Sequence, residues 1–240
     1  MHVHSDSETA HTDPTATSQG ETAQTNYLND RLFKHNFGAP ERRAITIDFL
    51  NSVLQNDGYG TITELKYCNS ELIPERDYQK LLIIDILCTT DRGEQIDIEV
   101  QVILHKDFDK RLMIYWSKLF IAEVKKSQSY DQCQRTIIVA ILAENIMPHA
   151  DYHSRIQAVD RRHDCVFSDV LDLHLLEVDK LILNKPVTQM SAAEKWLAVF
   201  SRKVNKQIKG GCHKVTFSPN SVSQYNPGAS GRVIRQTTLV

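Results

Sequence analysis

Between residues 80 and 102 the chain passes from continuous to alternating hydrophobicity. "KLLIIDILC" (80–88) is almost uninterrupted apolar sequence, as expected of a central strand covered on both faces. "QIDIEVQV" (95–102) alternates with period two, placing Ile96, Ile98, Val100 and Val102 on one face and Gln95, Asp97, Glu99 and Gln101 on the other. Upstream, Leu28, Leu32, Phe33 and Phe37 have helical spacing, punctuated by Gly38 and Pro40. "ERRAITIDFLNSVLQ" predicts a second helix that stops before the turn Asn56-Asp57-Gly58. "TITELKY" (61–67) is β-branched and alternating and predicts a strand, while Leu72–Tyr78, with Pro74 inside it, reads as loop. Downstream, a long helix is expected from about Asp109 to Gln128. "RTIIVAIL" (135–142) and "DLHLLEV" (172–178) predict strands, and Ala192–Lys206 a further helix. The order α, β, β, β, α, β predicts an α/β (or α+β) domain with a mixed sheet.

The ends differ from this middle. Residues 1–25 are Ser, Thr, His, Gln and acid, with almost nothing to bury, and predict a disordered N-terminal tail. From 208 to 240 the text is rich in Gly, Ser, Pro and Asn without period, expected to be a disordered tail or the mark of a truncation or frameshift. The 240 residues are enough for one well-buried domain. With a formal charge of −2, any phosphate contact must come from a local basic patch. The five cysteines are scattered without a CxxC pair, which points to free thiols in a reducing, cytoplasmic compartment. No apolar run approaches the roughly 20 residues of a membrane span, and the N-terminus lacks the apolar stretch of a signal peptide.

The chemistry lies in carboxylates placed inside apolar strands. If Asp91-Arg92-Gly93 is a three-residue hairpin loop, Gly93 takes the left-handed position that such loops need. Thr90 then faces Glu94, and counting outward sets Asp85 opposite Glu99, with Cβ atoms about 4.5–5.5 Å apart on one face. Gln101 lies two residues beyond Glu99 on that face. Two carboxylates so close in an apolar sheet raise each other's pKa. A hard divalent cation such as Mg²⁺ relieves that repulsion and can activate water beside a phosphodiester. The alternative is structural: Asp85 is salt-bridged to Lys80 or Arg92, and Glu99 and Gln101 merely line a solvated face.

Asp85 followed by Glu99-Val100-Gln101 across a hairpin resembles the D…(D/E)-x-K site of PD-(D/E)XK nucleases, with Gln in place of Lys. The surrounding text, "LNDRLFKHNFG", "IDILCTTDRGEQIDIEVQ", "RLMIYWSKLF" and "FSDVLDLHLLEVDK", is similar to the Rpn family of recombination-promoting nucleases, also labelled transposases. The similarity covers about residues 27–185 in the right order. It implies a restriction-endonuclease-like α-β-β-β-α-β core over 26–185, a helical extension over 186–207, and Mg²⁺-dependent (or Mn²⁺-dependent) DNA endonuclease activity. Asp85 and Glu99, with the carbonyl of Val100, would hold the metal. Gln101 would orient water or contact the phosphate. Asp97, Asp30 and Lys34 are candidate supporting residues, the last two having capping or surface solvation as their alternative. Many enzymes of this fold act as homodimers.

For DNA, Arg111, Lys118 and Lys125 fall within about 40° of one another on a helical wheel, and Lys126 follows them. Such a stripe can track a phosphate backbone, or it can solvate the edge of a buried helix. Tyr115 and Trp116 read as core. His149, His153, His163 and Cys165 match no standard structural zinc pattern, and the segment between them reads as polar loop. A non-catalytic DNA-binding relic of a mobile element is the alternative function, and an RNA substrate stays open.

Overall fold

The computed structural model describes residues 28–72, 82–122, 124, 129–182 and 185–201. The expected tails, and the end of the helix predicted to reach Lys206, lie outside the described residues. The helices are α1 (Asp30–Phe37), α2 (Arg43–Leu54), α3 (Phe108–Ala122) and α4 (Ala192–Phe200). The strands are β1 (Leu65–Tyr67), β2 (Glu71–Leu72), β3 (Leu82–Ile83), β4 (Ile86–Thr90), β5 (Gln95–Gln101), β6 (Thr136–Leu142), β7 (His153–Asp160) and β8 (Cys165–Glu177).

Six strands form one mixed sheet in the order β1-β4-β5-β6-β8-β7, and β2 with β3 makes a separate ribbon. The pairs β5–β6 and β6–β8 are parallel, and the pairs toward both edges are antiparallel. Strand β5, helix α3 and strand β6 form a β-α-β unit, since parallel neighbours need a crossover. With β1 and β4 before it and the α1–α2 pair preceding both, this is the expected α-β-β-β-α-β core.

Both faces of the sheet are covered. Ile96, Ile98 and Val100 pack with β6 residues Ile137, Val139 and Ile141 against α1, α2 and α4. On the other face Leu87, Ile138, Ala140 and Leu142 meet Phe108, Leu112, Tyr115 and Leu119 of α3. The polar face of β5 is therefore not solvated but roofed by α3. Asp97 is 0% exposed and Glu99 2%.

Three sequence expectations change. The run 80–88 is not one strand: β3 pairs with β2, the chain bends at Asp85, and β4 starts at Ile86. The physical reason is that the Asp85 N–H is given to the Glu99 carboxylate instead of a ladder carbonyl. The segment from 153 to 165, read as loop, is strand β7 and the start of β8, joined through a turn with Asp164 at φ 50°. Its sequence lacks a hydrophobic alternation because Arg155 and Gln157 point inward, and both donate to the buried Asp172. Helix α4 packs into the main core, where Trp196 stacks among Phe37, Phe49 and Phe200 and donates to Asp48 at 2.9 Å.

Candidate active site

A turn builds the site. Gly93 sits at φ 85°, the left-handed region where a Cβ is unfavourable. Thr90 N–H donates to Glu94 O at 2.9 Å, and Gly93 N–H to Thr90 O at 3.0 Å. The ladder pairs Thr89 with Gln95, Leu87 with Asp97 and Ile86 with Ile98. One more step sets Asp85 opposite Glu99, the register the turn predicts. Asp85 N–H donates to Glu99 Oε1 at 3.2 Å, and Val100 N–H to Asp85 Oδ2 at 2.9 Å. Gln101 Nε2 reaches Glu99 Oε2 at 3.4 Å.

The first helix closes the outer side. Asn29 caps α1, its side chain accepting from Leu32 N–H at 3.2 Å. Phe33 and Phe37 bury the inner stripe of the helix. Lys34 is thereby turned to the end of β4, where Nζ lies 3.1 Å from Asp85 Oδ1 and 3.1 Å from Asp30 Oδ1. Of the two partners considered from sequence for Asp85, Arg92 is engaged with Glu94 at 2.7 Å instead, and Lys80 lies outside the described residues.

Burial sets the electrostatics. Enclosure beneath α3, then the charge of Asp85, pushes the Glu99 carboxyl up to about 8. Burial also raises Asp85, against the opposing Val100 N–H and Lys34. Asp97 is raised well above the carboxylate range, first by burial and then by Glu99 and Asp85. Both Asp97 oxygens are buried without a hydrogen-bond partner among the described residues. Arg111 of α3 faces this cluster, favouring the charged forms of Asp97 and Glu99. Its Nε and Nη2 are buried without hydrogen-bond partners, and its guanidinium lies 5.4 Å from the Phe108 ring centroid and 5.7 Å from that of Tyr115. Arg111 is thus turned inward, away from the exposed stripe inferred from the helical wheel. Lys118 is half-buried, and Lys125 and Lys126 lie outside the described residues.

Three acidic side chains, all hard oxygen donors, lie on one face of the sheet, and Lys34 pairs with both Asp85 and Asp30. Buried carboxylate oxygens without donors, beside a carboxyl that resists ionisation, are what a divalent cation would satisfy. The donor set fits such an ion, and the half-open side at Asp85, 15% exposed at its side chain, gives access to it.

The sequence profile of the PD-(D/E)XK nuclease family transposases matches residues 27–214. The chain belongs to this family. Membership sets the functional class as that of a nuclease of a transposase family, and the mixed sheet with its helices is the restriction-endonuclease-like fold the family predicts. No match was found among curated proteins or among solved structures. Among the described residues of this PD-(D/E)XK family member, no helix is long and apolar enough to cross a membrane.

Proposed function

We propose that the protein is a Mg²⁺-dependent DNA endonuclease acting in recombination or on mobile elements, with Mn²⁺ as the substitute metal. The observation that supports this most is the buried confrontation of Asp85 and Glu99 across the β4–β5 hairpin. Asp85, Glu99 and the Val100 carbonyl are the proposed ligands, with Asp97 behind them. When bound, the ion supplies charge stabilisation at the scissile phosphate and activation of water. In the reaction, water attacks phosphorus and one ester oxygen departs.

The Gln101 amide, held against Glu99, orients the incoming water or contacts the phosphate. Being neutral, it cannot bring the positive charge of the Lys in the usual pattern. Lys34 supplies that charge from the first helix, through its ion pair with Asp85. From the helix side, Arg111 favours the charged forms of Asp97 and Glu99 against the larger effect of burial, and a bound cation would add to that. Lys118, Lys125 and Lys126 are the proposed DNA phosphate contacts, and a homodimer would let two such sites cut both strands.

The test is cleavage of supercoiled plasmid with Mg²⁺, with EDTA, and by the Asp85→Ala and Glu99→Ala variants. Nicking or linearisation that requires metal is expected, with a loss of about 10²-fold or more in each variant. Folded wild-type protein that binds DNA and leaves it intact would instead establish the non-catalytic relic.

A further inference from the structure

A second set of donors lies on the opposite face of the sheet from Glu99. Gly58, at φ 83°, closes the 3₁₀ turn after α2 and presents Asp57. Arg155 Nη1 holds that turn by donating to the Asp57 carbonyl at 2.8 Å. His153 opens β7, and His174 stands on β8, 0% exposed. His153 Nε2 lies 2.9 Å from His174 Nδ1. Asp57 Oδ2 lies 3.8 Å from His153 Nε2 and 3.7 Å from His174 Nδ1.

We propose that Asp57, His153 and His174 form a Zn²⁺ site, independent of the carboxylate centre on the other face. A tetrahedral zinc with bonds of about 2.0–2.1 Å keeps its donors about 3.3 Å apart, and the three separations here bracket that value. A hydrogen bond between the two imidazoles would account for only one of them. It leaves Asp57 Oδ2 buried and without a hydrogen-bond partner, beyond bonding distance of either ring.

The surroundings are those of a ligand shell. The far nitrogen of His174, Nε2, is 3.4 Å from Asp172 Oδ1 and 3.2 Å from Tyr59 Oη. A proton on Nε2 directed at Asp172 leaves Nδ1 free to coordinate, the carboxylate–histidine arrangement that orients metal-binding rings. Asp172 is itself fixed by Arg155 and Gln157, and its charge offsets that of Arg155 beside the site. Two imidazoles and one carboxylate favour zinc over Mg²⁺, which prefers all-oxygen shells and retained waters. His153 and Asp57 are 23% and 26% exposed at their side chains, so a fourth, solvent-supplied position stays accessible. The other candidates singled out from sequence stand outside this cluster. His149 contacts Ser154 at 2.9 Å, His163 contacts Asp160 at 2.6 Å, and Cys165 is exposed.

The test uses the full chain stripped of metal, titrated with Zn²⁺ and followed by calorimetry, retained-metal analysis and thermal unfolding. One Zn²⁺ per chain with a raised Tm is expected. Co²⁺ in its place should give the intense visible absorption of a tetrahedral site. Asp57→Asn and His153→Ala, both at the rim and suited to folding normally, should weaken binding at least 100-fold, whereas Asp85→Ala retains it. Wild type that holds no Zn²⁺ overturns the proposal. Undiminished binding in both rim variants overturns it as well, because the ion then sits on other donors such as the thiols.

Discussion

At the scale of single residues, Lys34 decides how the departure from the usual motif is read. A Gln at position 101 leaves the site without the expected cation, and its amide donates to Glu99 Oε2 at 3.4 Å. Lys34 stands 3.1 Å from Asp85, so a charge returns from a different element. Lys34→Ala should lower cleavage by about 10–100-fold and raise the Mg²⁺ concentration needed for half-maximal rate, because Asp85 loses the group that favours its charged form. Lys34→Arg should recover most of the rate. Equal Mg²⁺ dependence in wild type and Lys34→Ala, by plasmid cleavage across a metal titration, would remove Lys34 from the site. Asp30 shares the same ammonium, and this contact replaces the capping role considered for it, since Asn29 is the cap of α1.

At the scale of elements, the β4–β5 hairpin and helix α4 show opposite kinds of dependence. The hairpin is specified locally: one glycine at positive φ and two alternating strands leave little freedom of register, because a slip by one residue would turn Asp97 and Glu99 to the other face. Helix α4 is locally specified only at its start, where Ser191 and Glu194 form a capping box. Its position comes from the aromatic cluster around Trp196, which is 0% exposed. Replacing Trp196 by Ala should cost about 3–5 kcal/mol by cavity formation, read as a lower denaturation midpoint. The nearby α1 should loosen with it, since Phe37 packs directly on Trp196. Strand β7 was legible neither by alternation nor by turn signals, because the residues it turns inward serve a charged network and not an oily face.

At the scale of the whole molecule, stability and function are set against each other by pH. Glu99 goes from an ordinary value of 4.5 to about 8 in the folded chain, and Asp85 and Asp97 shift the same way. Between those values the native state holds more protons than the unfolded one, so metal-free stability falls as pH rises through that window. His153, pushed down to about 4 by burial and His174, acts in the opposite sense below its ordinary value of 6.5, so thermal unfolding from pH 6.5 to 8.5 should show the decline in Tm that Glu99→Gln reduces, and Mg²⁺ should restore stability most at the alkaline end. A rising Tm over that range in wild type would contradict the buried, proton-holding site. Asp172 does not disturb this window: although buried, it is held below the usual carboxylate range by His174, Arg155 and Tyr59, so its effect lies at lower pH. The α-β-β-β-α-β order was legible from the period of each segment along the chain, and the hairpin register with the pairing of Asp85 and Glu99 from one turn within fewer than twenty consecutive residues. Only the tertiary structure decided that the polar face of β5 is roofed by α3, that Lys34 reaches Asp85, that Arg111 turns inward, and that Asp57, His153 and His174 meet. Each of those depends on which face of one element packs against another far along the chain. No local period encodes that choice; it is made when burial of both faces of the sheet fixes where every helix must lie.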